Sequence, residues 1–145
     1  MSARGFTLLE LLVVLAIVMV VVGVAAPILS SGLPGTDLRS GMLAISSGLR
    51  EAQSQAMAEN KEIAFTLNVD EKWFAIGKKG RAEHIPERLR LSFLTTRSER
   101  LNRATANIRF YPDGSSTGGR IELESGDRNA VVTVDWLTGR VAAAD

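Results

Sequence analysis

The chain has 145 residues, 46% of them hydrophobic, with 17 Lys and Arg against 16 Asp and Glu. That balance argues against a nucleic-acid binder, whose phosphate contacts need a cationic excess, so no nucleic acid is expected as a partner. The lack of cysteine excludes disulfides, thiolate metal sites and a cysteine nucleophile, leaving packing alone to hold a folded domain.

The first thirty residues dominate the chain. Met1-Ser-Ala-Arg-Gly5 precedes Phe6-Thr-Leu-Leu-Glu10 and an uncharged run from Leu11 to Leu29. Those 19 residues would make a helix about 28 Å long, close to the hydrocarbon thickness of a bilayer. They predict a membrane span with one carboxylate at its entrance. A cleavable secretory signal has a shorter apolar stretch followed by its cleavage site. Here any processing cue lies before the stretch, which therefore stays in the mature chain. Arg4 is the only charge before Glu10, and the positive-inside tendency keeps this end cytoplasmic, with the remainder in the periplasm. Glu10 would be expensive in hydrocarbon unless paired, by about 2.5–3.5 kcal/mol on insertion scales. It either snorkels to the headgroups beside a helix N-terminus or meets an amine. Pro27 cannot donate to the Gly23 carbonyl, so a bend is expected there.

Residues 30–36, Ser-Ser-Gly-Leu-Pro-Gly-Thr, are rich in breakers and read as a hinge. Thr36 or Asp37 can cap the helix that follows. From Asp37 to about Asn60, Leu38, Met42, Ile45, Leu49, Ala52 and Ala56 recur at steps of four and three, one apolar stripe. Gly41 and Gly48 lie beside it, each costing about 1 kcal/mol relative to Ala, which is reasonable where something packs closely. Small Ala and Gly residues would zip weakly in a coiled coil, so this helix is expected on a sheet.

After Lys61 the period becomes two. Ile63 to Val69 and Lys72 to Ile76 predict a hairpin across Asp70-Glu71. Further short strands are expected at 88–93, 107–111, 120–124, 130–135 and 139–141. The fold class is therefore α+β, an amphipathic helix packed on antiparallel sheet. The connections 77–87 and 95–106 mix charge signs irregularly and read as solvated loops.

No catalytic, cofactor or metal site is expected. Tyr111-Pro-Asp-Gly-Ser-Ser-Thr-Gly-Gly119 lacks the lysine and following helix of a phosphate cradle, because Arg120 opens a strand. Asp113-Gly114 is instead a turn signal. Ser115 or Ser116 as a nucleophile needs a base held by a third group, and the single histidine, His84, lies in an unrelated charged stretch. Asp113, Glu122, Glu124, Asp127 and Asp135 show no calcium-loop spacing, and Glu122 and Glu124 share a strand face expected to be wet.

Arg4-Gly-Phe-Thr-Leu-Leu-Glu10 resembles the type III signal of type IV pilins and type II secretion pseudopilins. Ile108 to Leu123 and Val132 to Val141 are similar to the C-terminal part of GspH/FimT-type minor pseudopilins and pilins, and Leu33 to Arg39 to the start of their domain helix. The resemblance implies a leader, residues 1–5, cut by prepilin peptidase between Gly5 and Phe6, with N-methylation of Phe6. It implies a transmembrane assembly helix over 6–29, a hinge over 30–36 and a periplasmic domain over 37–145. Glu10 would pair with the amino terminus of an adjacent subunit in a helical filament. The implied partners are other minor and major pseudopilins and the inner-membrane secretion platform. The function this implies is that of a minor pseudopilin at the tip of a type II secretion pseudopilus, in the bacterial inner membrane, with no enzyme activity. The alternative is a FimT-like minor pilin serving pilus assembly or DNA uptake, although the end of this chain, Val141-Ala-Ala-Ala-Asp145, offers no basic tail. A third alternative is a membrane-anchored enzyme with an uncleaved signal anchor.

Overall fold

A computed structural model describes the backbone of residues 8–30 and 34–144 and the side chains of residues 8–20 and 36–144. It divides into two units that meet in sequence at Leu33 and Pro34. The first contains helix α1, Leu8–Ser30, which continues through Pro27. The second contains α2, Pro34–Glu59, and eight strands.

Helical backbone reaches Ser30 and resumes at Pro34; of the hinge expected over 30–36, residues 31–33 lie outside the described residues. Proline suits a first helical position because its φ is preset and it has no N–H to leave without a partner. Thr36 and Asp37 thus fall within the first turn of α2 rather than before it. At the other end Asn60 turns left-handed, with φ 52°. The Lys61 N–H then reaches back to the Ala56 carbonyl at 3.2 Å, closing the helix.

The period-two segments form two antiparallel sheets. In the first, the order is β3 (Glu83–His84), β2 (Trp73–Ile76), β1 (Ile63–Asn68) and β5 (Thr105–Phe110). In the second it is β4 (Arg90–Leu94), β6 (Gly119–Ser125), β7 (Arg128–Val134) and β8 (Val141–Ala144). The β1–β2 hairpin pairs Phe65 with Ile76 and Asn68 with Trp73. Its turn is held by the Asn68 carboxamide, which accepts from the Asp70 and Glu71 N–H groups at 3.0 and 2.9 Å.

Helix α2 contacts both sheets. Its stripe of Leu38, Ile45, Leu49, Ala52 and Ala56 is buried with Phe65, Phe74, Phe110, Leu123 and Val132. The two helix glycines explain the close approach. A Cβ on Gly48 would lie 2.6 Å from Phe74 and 2.9 Å from Phe65, whose rings stack with centroids 5.0 Å apart. A Cβ on Gly41 would run into Leu89.

The stretches expected to be solvated loops are more structured than their charge pattern suggests. Strand β3 lies within 77–87, antiparallel to β2, and Ile85 is buried. Within 95–106, a 3-10 turn at Arg97–Glu99 buries Glu99, and β5 begins at Thr105.

Candidate functional site

Helix α1 presents leucine, isoleucine, valine or methionine around its whole circumference, and every described side chain from Leu8 to Val20 is exposed. A helix apolar on all sides belongs in a protein interior or a membrane, and exposed apolar surface on this scale marks an interaction site. Glu10 is its one acidic residue and lies in the first turn, where a carboxylate suits the positive end of the helix dipole. Among the described residues no helix is long and apolar enough to cross a membrane. The described side chains of α1 stop at Val20; the uncharged run continues in sequence to Leu29. The Gly5-Phe6 junction lies outside the described residues.

The loops that raised questions of chemistry are knitted to each other. The Ser115 hydroxyl and N–H both donate to Asp113, at 2.6 and 3.0 Å, which holds the Asp113 carboxyl below the usual carboxylate range. Buried Ser116 donates its hydroxyl to the Asp135 carbonyl at 3.1 Å and accepts the Gly118 N–H at 3.0 Å. His84, by contrast, sits on β3 opposite Trp73, at the edge of the first sheet opposite β5, whose Phe110 bridges to Ser116. The two serine hydroxyls are therefore committed to turn geometry, and histidine is not brought to them.

The turn from Asp135 to Gly139 is equally fixed. One Asp135 carboxylate oxygen accepts from the Thr138 N–H at 2.8 Å, the Thr138 hydroxyl at 2.8 Å and the Leu137 N–H at 3.1 Å. These donors lower the Asp135 pKa, the Thr138 N–H most. From α2, the Gln53 carboxamide donates to the Gly114 carbonyl at 2.8 Å and the Thr138 carbonyl at 3.2 Å. Gly139, at φ 62°, sits so close to Gly114 and Gln53 that a Cβ would clash. Glu122 and Glu124 alternate with buried Ile121 and Leu123 and lie on the wetter side of β6. Glu122 meets Arg120 at 2.8 Å. Among the described residues no group of three or more His, Cys, Asp or Glu side chains could hold a metal ion.

One charged group was missed by the sequence reading. Glu99, with a side chain 7% exposed, pairs with Arg109 on β5. The Arg109 Nε and Nη2 donate to the two carboxylate oxygens at 3.0 and 3.3 Å. The Glu99 hydrogen bond holds Arg109 above its ordinary range, and Glu62 approaches the same guanidinium at 3.5 Å. A two-pronged pair of this kind fixes geometry as well as charge, here tying the 95–103 connection to the sheet. The signal available in sequence was Arg109 itself, an arginine amid the β-alternation of Asn107 to Tyr111.

Comparison with known proteins agrees with these features. The family described as type II transport protein GspH matches residues 43–139, and the prokaryotic N-terminal methylation motif matches residues 1–26. The chain is 36% identical over 139 residues to type II secretion system protein H of Xanthomonas campestris pv. campestris, covering 95% of this chain and 81% of that protein. Its fold is similar to the minor pseudopilin EpsH of the Vibrio cholerae type 2 secretion system, with TM-score 0.59, 13% identity and coverage of 74% and 96% of the two chains. It is also similar to the type IV minor pilin FimU of Pseudomonas aeruginosa, with TM-score 0.58, 15% identity and coverage of 76% and 90%. The chain belongs to the GspH family of type II transport proteins.

Proposed function

We propose that this chain is a minor pseudopilin of a type II secretion system, that it works by assembly rather than catalysis, and that α1 is the assembling part. The observation that carries this reading is helix α1, whose described side chains, Leu8 to Val20, are almost all apolar and exposed, joined in sequence to a well-packed domain whose polar loop residues are engaged in holding turns. In the bilayer, α1 stores the subunit. The 23 residues of α1 span about 34 Å, enough to cross the hydrocarbon layer, with residues 1–5 cytoplasmic and residues 37–145 periplasmic. Prepilin peptidase cuts between Gly5 and Phe6 and Phe6 is N-methylated. The new amino terminus of one subunit then meets Glu10 of its neighbour, so a misregistered subunit leaves a carboxylate unpaired in an apolar bundle, which is costly. Pro27 bends the helix, and the hinge read in the sequence over 30–36 lets helix and domain adjust separately. The domain joins other pseudopilins at the filament tip, above the inner-membrane platform, and helps move folded proteins across the outer membrane.

The likeness to FimU leaves a pilus minor pilin as the second reading, since the fold serves both. The 36% identity to a secretion protein over nearly the whole chain favours secretion.

Replacing Glu10 by Ala and following filament incorporation and protein export tests the mechanism. The expected result is loss of both, with the domain still folded. Normal incorporation and export would remove Glu10 from the mechanism.

A further inference from the structure

The start of α2 and the turn between β6 and β7 border a cleft of about 460 Å³, lined among others by Leu38, Arg39, Met42, Asp127, Arg128 and Ala130. Along β7, Arg128 and Ala130 are two residues apart and project from one face of the strand, the face on which Ala130 joins the core. Along α2, Leu38 and Met42 are one turn apart, with Arg39 beside them. Leu38 and Ala130 are buried, Met42 is half-buried, and Arg39, Asp127 and Arg128 are exposed, so apolar atoms form the floor and charged groups the mouth. Among the described residues none forms an ion pair with Arg39, Asp127 or Arg128. The carboxylates closest to them in sequence do not share their faces. Asp37 is two positions from Arg39 on a helix, a spacing that does not put side chains together, and Glu124 pairs in register with Asn129, on the side of the sheet away from Ala130.

We propose that this cleft binds the headgroup of a membrane phospholipid that carries a phosphate and a primary ammonium, as phosphatidylethanolamine does. Arginine suits phosphate because its planar fork donates two parallel hydrogen bonds, and here two guanidinium groups reach one mouth from two different elements. Asp127 beside them repels a second anionic group and accepts from an ammonium, which selects a zwitterion over a headgroup of net negative charge. Leu38, Met42 and Ala130 suit the glycerol and upper acyl carbons. Leu43, one turn beyond Arg39 and 53% exposed, extends that apolar surface. Chain length selects the bilayer as the source of the phosphate. Four Cα steps separate Ser30, the end of α1, from Pro34, the start of α2, at most about 15 Å. Met42 lies eight residues beyond Pro34, about 12 Å along the helix. The α2 side of the cleft therefore stays within about 27 Å of the end of α1 at any angle between the helices. This inference rests on the reading of α1 as the membrane span.

The test is native mass spectrometry of the full chain in non-ionic detergent, with phosphatidylethanolamine, phosphatidylcholine or diacylglycerol of the same acyl chains added. Phosphatidylethanolamine should be retained about tenfold more than diacylglycerol, which has no phosphate. It should be retained about threefold more than phosphatidylcholine, whose quaternary ammonium cannot donate to Asp127. Arg39→Gln with Arg128→Gln should abolish the preference over diacylglycerol, whereas Asp127→Asn should abolish only the preference over phosphatidylcholine. The three side chains are exposed, so the melting temperature of each variant should match the parent. In nanodiscs containing phosphatidylethanolamine, hydrogen exchange should slow at 38–43 and 127–130 in the parent and not in the double arginine variant. Equal retention of the three lipids, or a preference that survives the double arginine variant, overturns the proposal, because α1 alone would then be holding lipid. Equal retention of soluble glycerophosphoethanolamine overturns it too, since the bilayer would then play no part. Failure of the underlying reading is distinct: the chain would leave cell membranes in a carbonate wash without detergent, whereas the headgroup proposal fails with the chain still in the membrane.

Discussion

Two helices follow one another in this chain and solve opposite problems. Helix α2 is amphipathic: Ile45, Leu49, Ala52 and Ala56 are fully buried against the protein's own sheets, while Ser47, Arg50 and Ser54 face water. Helix α1 has no polar face, and its described apolar side chains are exposed. The burial that stabilises α2 is intramolecular and present in a single chain; on the proposed assembly reading, the burial that α1 needs comes from lipid or neighbouring subunits. A domain that folds alone is thereby joined to a helix that cannot stay alone.

The largest expected effect of substitution separates the two helices. Val14→Lys puts a charge, costing about 2.5–3.5 kcal/mol at mid-membrane, into the apolar run. Membrane retention should fall more than about tenfold, while the domain melts as before. Ser54→Lys on the wet side of α2 should change neither. Equal loss of retention from both would break the contrast. Next, Gly48→Ala should destabilise the domain by about 1–3 kcal/mol in denaturant unfolding, because overpacking against Phe65 and Phe74 outweighs the gain of about 1 kcal/mol in helix propensity. A more stable variant would mean the aromatic pair yields readily.

Glu99→Ala should cost about 2 kcal/mol. This is below the 3–5 kcal/mol of a fully buried pair, because the Arg109 side chain is 31% exposed and water can take up part of the loss. Glu99→Leu with Arg109→Met should recover most of that stability; failure to recover would show that the pair does more than satisfy itself. The smallest effect is the acid limb of stability. Asp113 and Asp135 both titrate below their ordinary 3.8 in the folded domain, so their contribution is complete above that value and is lost as pH falls through the lower folded pKa. Melting temperatures measured from pH 5 to 2 should drop less steeply in Asp113→Asn with Asp135→Asn. An unchanged slope would leave the acid limb to other groups.

Periodicity made α2 and the β1–β2 hairpin legible, since the stripe from Leu38 to Ala56 and the alternation from Ile63 to Leu67 are local signals. Gly41 and Gly48 were also legible as close-approach positions, because glycine in a helix interior needs compensation. The division into two sheets was not legible: β5 pairs with β1 and β4 with β6, contacts set by long-range packing rather than by spacing. Strand β3 is two residues long, too short to show a period. Glu99 looked like one more loop charge because its partner, Arg109, lies ten residues away on a strand. The remaining features divide in the same way. Glu10 and the Gly5-Phe6 junction stand out as a contiguous motif, whereas the bonds by which Gln53 holds the Gly114 loop and the 135–139 turn join residues far apart in sequence.

The most direct test of the assembly account is the intact mass of the chain purified from its native membrane. The account predicts a protein that begins at an N-methylated Phe6. A chain beginning at an unprocessed Met1, or at an unmethylated Phe6, would contradict it.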